Sequence, residues 1–156
     1  ANTADIATNE AEIDEVRAAA MLHGEIVMVH STADMQPMII NLPDAITYWA
    51  GGTSVSDGFA VKALDGPASI GGFAYELHTV EYCIDTPTGD GWVDAVWLWG
   101  PTGQELLDET DRGAAGCWDY TVNSPADGPF SFVVATADMA GGAVRIDGIT
   151  TTWRPV

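Results

Sequence analysis

Two cysteines are the residues of this 156-residue chain with the clearest chemical potential, because sulfur bonds to sulfur or to metal ions. Cys83 and Cys117 take the non-apolar positions of two predicted strands, near Glu81 and Asp119, so we expect both on one exposed face or rim. A disulfide between neighbouring strands would stabilise the fold by roughly 3–4 kcal/mol. The alternative is two unrelated free thiols, and without a CxxC spacing zinc or iron–sulfur binding is not indicated.

The histidines and serines do not stand in known catalytic motifs. His23, His30 and His78 are scattered, and none stands in an HExxH motif. Ser54 and Ser56 lie in a glycine-rich segment, residues 51–58, that lacks the GxSxG nucleophile elbow and that we predict to be a loop. No nucleophile and base are spaced for joint action, so the sequence predicts a protein that is not an enzyme.

Clustered carboxylates in two loops are the candidate metal ligands. Calcium takes six to eight oxygen ligands, which acidic turns can supply. The candidates are Asp85 and Asp90 in one loop and Asp108 and Asp111 in the other. Neither loop has the EF-hand spacing, so plain solvated loops are the competing interpretation. The sequence therefore predicts no cofactor, with calcium as the one possibility.

Aromatic residues are frequent in the second half of the chain and suggest a sugar-binding surface. The residues concerned are Trp92, Trp97, Trp99, Trp118 and Tyr120. Alternation along the predicted strands places most of them on the same side as the apolar residues that point into the core. The pattern therefore favours packing between sheets over a platform that binds sugar.

The charge balance restricts the partners. The chain has 23 acidic and 5 basic residues and a formal net charge of −18. Molar salt shortens the Debye length to about 3 Å and screens such repulsion, so the composition predicts a protein from a high-salt environment; an ordinary acidic protein is the alternative. Phosphate backbones need Lys and Arg contacts, which excludes nucleic acid as a partner.

The first residues predict a helical arm, residues 1–24, ahead of the main domain. Ile6, Ile13 and Val16 form a thin apolar stripe, which we expect to pack on a neighbouring surface in an assembly. The segment lacks the pattern of a secretory signal, so either none was present or it was removed. The longest apolar runs elsewhere are too short for membrane insertion.

Residues 25–156 alternate with a period of two and contain frequent turn signals, which predicts an all-β domain. We expect a two-sheet antiparallel β-sandwich, jelly-roll-like, with one short N-terminal α-helix. Bulges are predicted near His78 and Gly148, where the apolar parity shifts. The predicted strands are 25–30, 38–42, 45–50, 59–64, 73–84, 92–99, 105–107, 117–122, 130–135 and 143–153.

Two motifs resemble a known family. The stretch from Val93 to Leu106, with its alternating strand and Pro101-Thr102-Gly103 turn, resembles the prepeptidase C-terminal-type sandwich domains. The segment from Ala126 to Val134 is similar to a later strand of those domains, although Gly128-Pro129 departs from their pattern. The resemblance covers about residues 92–136 and implies a non-catalytic accessory or binding module.

Two functions fit these features. The first is a structural assembly protein, such as a capsid or surface component of a halophilic archaeal virus, whose partners are copies of itself or other virion subunits. The alternative is an extracellular accessory module of a haloarchaeal protein that binds carbohydrate or depends on calcium. The corresponding locations are the virion or the extracellular surface, both at high salt.

Overall fold

The computed structural model describes residues 6–15, 24–37, 46–49, 52–55, 58–85, 91–137 and 142–156. Their strands form two antiparallel sheets, and residues 6–15 are helical. The predicted all-β sandwich with one short N-terminal helix is therefore confirmed. No helix among these residues is long and apolar enough to cross a membrane.

The first sheet contains the longest strands. Its order is β10-β7-β12-β4-β3; β1 also pairs with β12, and the short β6 pairs with β7. The bounds are β1 Ile26–His30, β3 Ile46–Trp49, β4 Gly52–Val55, β6 Ser69–Ile70, β7 Phe73–Ile84, β10 Gly116–Pro125 and β12 Val144–Pro155. Gly71 and Gly72 both have positive φ, which the two-residue turn between β6 and β7 requires.

The second sheet has five strands in the order β2-β5-β11-β8-β9. Because β10 and β12 belong to the first sheet and β11 to the second, the chain crosses between the sheets at each of these steps. The Pro101-Thr102-Gly103 turn joins β8 to β9, as its sequence predicts. The bounds are β2 Gln36–Pro37, β5 Gly58–Leu64, β8 Trp92–Gly100, β9 Gly103–Asp108 and β11 Phe130–Ala137.

The core lies between the sheets and is rich in aromatic side chains. Trp153, Tyr82, Phe130 and Phe132 are almost completely buried. Trp153 packs edge-on against Phe130 and also lies against the backbone of Gly66, where a Cβ atom would sit 2.1 Å from the indole. Burial of side chains of this size supplies much of the stability of the sandwich.

Irregularities bend the long strands where the apolar parity shifts. The pairing of β7 with β12 slips between Thr152 and Trp153, opposite His78, and again between Ile146 and Gly148. Both bulges predicted from sequence are therefore confirmed. β10 carries a further bulge between Thr121 and Ser124, which includes Asn123 at a φ of 55°.

The glycine-rich segment, residues 51–58, was predicted to be a loop, and for its described part that prediction is wrong. Gly52–Val55 forms β4, which pairs with both β3 and β12. Its residues lack the alternation of apolar and polar types that marks a strand, so its neighbours in the sheet determine its conformation. The predicted strand at residues 38–42 lies outside the described residues.

The described helix is exposed along its whole length, residues 6–15. Ile6 is 56% exposed and Ile13 is 50% exposed, while Val16 lies outside the described residues. Ile13 and Asn9 line a shallow depression beside Gly71 and Phe73 of the β6–β7 hairpin. The expectation that the helix packs in an assembly stays a prediction.

Candidate functional site: an aromatic sheet face

The outer face of the second sheet is apolar, although in a two-layer sandwich such a face is ordinarily polar. The inward positions of β5, β8 and β11 are filled by core residues such as Ala60, Leu98 and Phe132. Alternation therefore places the intervening residues outward. The cross-strand register aligns these in rows: Leu107, Trp97, Val133, Val61 and Gln36; Trp99, Ser131 and Ala63; Ala95, Ala135 and Phe59.

Three aromatic side chains, Phe59, Trp97 and Trp99, stand around Val133 on this surface, which we call the aromatic face. Trp99 is 47% exposed and Phe59 is 36% exposed. The rings of Phe59 and Trp97 lie 5.8 Å apart between centroids. Val133 is only 3% exposed, although it points away from the core, because the aromatic side chains beside it cover it.

The aromatic face is a shallow surface. The cavity between Phe59, Trp97, Trp99 and Val133 has a volume of about 150 Å³. Pockets that enclose small ligands typically measure about 300–1,000 Å³. A ligand at this site would therefore lie across the rings and leave one side in solvent.

The position of Trp97 and Trp99 corrects the interpretation made from strand parity. That interpretation assigned most of the aromatic residues to packing between the sheets, which is correct for Trp118 and Tyr120, partly buried against the core, but wrong for Trp97 and Trp99. β8 is apolar on both faces, with Val96 and Leu98 inward. Alternation therefore could not indicate which set is buried. The cross-strand register of β5, β11 and β8 is the information that the sequence lacks. Only this register places Phe59 of β5 beside the two tryptophans of β8.

The aromatic face has stacking surfaces and uncharged polar neighbours. No member of its three rows is charged, although the chain has 23 acidic residues. Ser131 can donate or accept a hydrogen bond, and Gln36 offers both an amide donor and a carbonyl acceptor. The face of an aromatic ring carries partial negative charge and attracts the polarised C–H groups of a flat ligand.

A second cluster of functional groups joins the two sheets at the edge formed by β9 and β10. The Tyr120 hydroxyl donates to Asp108 Oδ2 at 2.7 Å, and Arg112 donates to the same oxygen at 3.2 Å. The Arg112 guanidinium also lies 5.2 Å from the centre of the Trp118 ring. These contacts satisfy the carboxylate internally and connect the strands that flank the open edge.

The pKa values in this cluster follow from burial and hydrogen bonding. Burial alone would raise the pKa of Asp108, but hydrogen bonds from Thr110, Tyr120 and Arg112 outweigh it and lower the pKa to about 2. Burial, reinforced by the hydrogen bond to Asp108, raises the pKa of Tyr120. Burial also raises the pKa of Tyr82 to about 12. The cluster therefore stays in one protonation state at neutral pH, which suits a structural role.

The four calcium candidates do not come together as one described site. Asp85 pairs with Arg145 at 3.0 Å, and Asp108 is engaged by Arg112 and Tyr120. Asp111 is exposed on the neighbouring loop, and Asp90 lies outside the described residues. A guanidinium beside a carboxylate offsets its negative charge and so weakens its attraction for a further cation.

The two cysteines form a disulfide, as one of the sequence alternatives predicts. Cys83 of β7 and Cys117 of β10 are direct cross-strand partners with Cα atoms 4.1 Å apart. Glu81 lies close to both sulfur atoms. The bonded sulfurs are not thiolates, so this group of three side chains is not a metal site.

His30 lies on the inner side of β1 and contacts a buried hydroxyl. Its Nε2 is 2.9 Å from Thr151 Oγ1, and the indole N–H of Trp153 donates to the same oxygen. Burial lowers the pKa of His30 below its usual 6.5, and the charge of Lys62 lowers it further. The other described histidine, His78, contacts Asn123 at the bulge in β10. The two histidines therefore lie in separate places.

No protein-family model matches the sequence, and no curated protein matches it. Several solved structures have a similar fold, with low identity. A CBM36-1 domain of a multidomain xylanase from the hindgut metagenome of Trinervitermes trinervoides is 14% identical with a TM-score of 0.46, over 81% of this chain and 96% of that one. The carbohydrate-binding module CBM36 in complex with calcium and xylotriose is 13% identical with a TM-score of 0.45, over 80% and 98%.

A third similar structure is TmCBM61 in complex with β-1,4-galactotriose, which is 14% identical with a TM-score of 0.44, over 86% of this chain and 91% of that one. At these values the likeness assigns no ligand and no residue role to this chain. The relation of residues 92–136 to prepeptidase C-terminal-type domains stays a prediction; these residues span β8 to β11.

Proposed function

We propose that this protein is a non-catalytic carbohydrate-binding module and that its aromatic face is the binding surface. The observation that supports the proposal is the exposure of Trp99 and Phe59 beside Trp97 on a sheet face that lacks a further layer among the described residues. Exposed aromatic side chains in a group cost solubility, so a grouped set indicates a binding surface.

The chemistry of the aromatic face fits a neutral polysaccharide. A pyranose ring presents C–H groups on its faces and hydroxyl groups around its rim. The C–H groups match the negative faces of the indole and phenyl rings, and the hydroxyl groups match Ser131 and Gln36 at the margin. The ring centroids of Phe59 on β5 and Trp97 on β8 are 5.8 Å apart, so the two side chains bridge the intervening strand β11 and offer neighbouring stacking surfaces.

The distribution of cations argues against an anionic polymer as the ligand. Each of the four basic side chains in the described residues already pairs with a carboxylate: Lys62 with Asp34, Arg112 with Asp108, Arg145 with Asp85 and Asp147, and Arg154 with Glu76. With a net charge of −18, the molecule would repel sulfated or uronic acid chains.

The proposed location is outside the cell. The Cys83–Cys117 disulfide is stable in an oxidising environment, which favours an extracellular or cell-surface protein. A high-salt habitat and a haloarchaeal source remain expectations from composition. The virion interpretation has no support from the structures named above, and we do not propose it as the function.

Binding to a panel of neutral and acidic polysaccharides tests the proposal. We expect retention on at least one neutral polymer and none on acidic polymers. The W97A/W99A double variant should lose at least about tenfold in affinity, since each stacked ring contributes about 1 kcal/mol. The matched control is Leu107→Ala, which removes an exposed apolar side chain from the same row but no ring. Equal retention of wild type and W97A/W99A would contradict the proposal.

Calcium gives a separate prediction. Binding through the aromatic face uses no metal, so addition of a chelator should leave the affinity for the polysaccharide unchanged within about twofold. The measurement is isothermal titration calorimetry of the polysaccharide into the protein, with and without chelator. The variant Asp111→Asn removes one calcium candidate and should bind the polysaccharide as wild type does. A loss of binding that added calcium restores would favour the calcium-dependent alternative.

A further inference from the structure

The free side of β1 lacks the protection seen at three other sheet edges of the described structure. Proteins protect exposed edges with charges, proline, bulges or very short strands. β10 has a bulge and the outward Asp119, β9 has Glu105 and a bulge in its pairing with β8, and β2 has two residues including Pro37. β1 has five residues in regular pairing with β12, its one hydrogen-bonded neighbour among the described residues.

The side chains of β1 are apolar and conspicuously exposed on the outer face. Val29 is 77% exposed and Val27 is 61% exposed. The segment from Ile26 to Ala33 contains no acidic residue, in a chain where 23 of 156 residues are acidic. This edge is therefore open to strand pairing and, like the aromatic face, free of acidic side chains.

We propose that β1 pairs antiparallel with β1 of a second copy, so that the first sheets of two molecules form one continuous sheet. In a strand, alternate residues direct their N–H and C=O groups to the same side, so β1 has backbone groups that point away from β12 and can hydrogen-bond to another strand. A second strand in register satisfies these groups and covers Val27 and Val29.

The second copy is the occupant that the register favours. A two-fold axis through Met28 places Val27 opposite Val29 of the partner subunit, and Val29 opposite Val27 of the partner subunit. The apolar side chains thus meet each other in two equivalent pairs. Two copies that each carry a charge of −18 repel each other overall, and a contact segment without carboxylates adds no close like-charge pair to that repulsion.

The arrangement has a consequence for binding, which rests on the proposed function. The two-fold axis of an antiparallel strand pair is perpendicular to the sheet, so both second sheets lie on the same side of the joined sheet. Both aromatic faces would then be directed to the same side, and a dimer would bind a polymer surface with two sites at once.

Analytical ultracentrifugation of the full chain tests the proposal, at about 0.1 M and about 1 M salt, where the Debye length is about 10 Å and about 3 Å. We expect a monomer–dimer equilibrium that salt strengthens by about tenfold or more. The V27K/V29K variant makes each copy less negative, so general repulsion predicts tighter association. Pairing through β1 predicts at least about tenfold weaker association, because like charges meet across the edge.

A charge-pair variant tests the register. V27K/V29E places Lys opposite Glu in the antiparallel register and should dimerise at least about tenfold more tightly than V27K/V29K. Val156→Lys, at a site 75% exposed and outside β1, is the control and should match wild type. Circular dichroism confirms that each variant is folded.

Three results would overturn the inference: a wild type that is monomeric under both conditions, a V27K/V29K variant that dimerises like wild type, or a V27K/V29E variant no tighter than V27K/V29K. Binding of a short soluble oligosaccharide to V27K/V29K separates the two proposals. The monomer keeps its aromatic face, so loss of dimerisation with retained binding leaves the proposed function intact, and loss of binding by the folded variant contradicts it.

Discussion

At the scale of single residues, the lowered pKa of Asp108 makes the stability of the fold depend on pH. Its carboxylate accepts hydrogen bonds from Tyr120 and Arg112, and the resulting pKa of about 2 is below the value of about 3.8 in an unfolded chain. A group with a depressed pKa in the folded state contributes stability above its unfolded pKa, and this contribution disappears as the pH falls towards the folded value.

We expect Asp108→Asn to lower the free energy of unfolding by about 1–2 kcal/mol at pH 7, with the difference from wild type shrinking below about pH 4 and vanishing only once the pH is below the folded pKa of about 2. Urea unfolding at several pH values measures this. His30 affects both proteins alike as the pH falls below 6.5, so the difference between them isolates Asp108. Glu109→Gln, an exposed neighbour, is the control. A difference that keeps its pH 7 size at about pH 1 would show that the ionised carboxylate of Asp108 is not its source.

The residues of the site were only partly predictable. Trp97 and Trp99 stand out in the sequence, but β8 is apolar at consecutive positions, so neither parity marks the buried side. The shift in the pairing of β8 with β11 after Ala135 disturbs the alternation further. Phe59 is 38 positions before Trp97 in the sequence, and the pairing of β5 and β8 with β11 brings the two rings together.

At the scale of elements, the disulfide fastens β7 to β10 on the outer face of the first sheet. The two cysteines are 34 positions apart, and closing a loop of that length stabilises a fold by about 3–4 kcal/mol when the entropy of the unfolded chain is the main term. Because Cys83 and Cys117 are direct cross-strand partners, the bond joins the two strands at one position of their register.

The C83S/C117S variant should therefore unfold with a free energy about 3–4 kcal/mol smaller than that of wild type. Denaturant unfolding with and without reductant is the measurement. Reductant should destabilise wild type to the level of the variant and leave the variant unchanged. A wild type that is indifferent to reductant, with a variant equally stable, would show that the disulfide adds nothing to stability.

The elements were more predictable than the site. Strand pairs such as β7 with β10 carry alternating apolar residues, which identifies both strands and their inward faces, including Trp118 and Tyr120. The parity shifts at His78 and Gly148 correctly indicated bulges. β4 was missed because Gly52–Val55 has little side-chain pattern, and its pairing with β12 depends on residues about 90 positions away.

At the scale of the whole molecule, electrostatic repulsion is the feature that composition predicts best. The 23 acidic residues outnumber the 5 basic ones, so a net charge of −18 has no counter-charge in the chain and repels itself in the folded state. Raising the salt concentration shortens the Debye length from about 10 Å at 0.1 M to about 3 Å at 1 M.

We expect the free energy of unfolding to rise by about 1 kcal/mol or more between about 0.1 M and about 1 M salt. Thermal unfolding in sodium chloride and in potassium chloride measures the effect, and similar results in the two salts would indicate screening. A stability that falls or stays level as salt increases would contradict the high-salt expectation.

An NMR titration tests most directly whether the aromatic face binds carbohydrate. The protein is titrated with a soluble oligosaccharide of a polysaccharide that retains it, and the indole N–H signals of its six tryptophans are followed. Ring stacking at the aromatic face predicts that the signals of Trp97 and Trp99 shift as the site fills, while those of the core residues Trp118 and Trp153 stay in place. Saturation with no shift at Trp97 and Trp99, or with shifts centred on other tryptophans, would contradict the assignment of this face as the carbohydrate-binding surface.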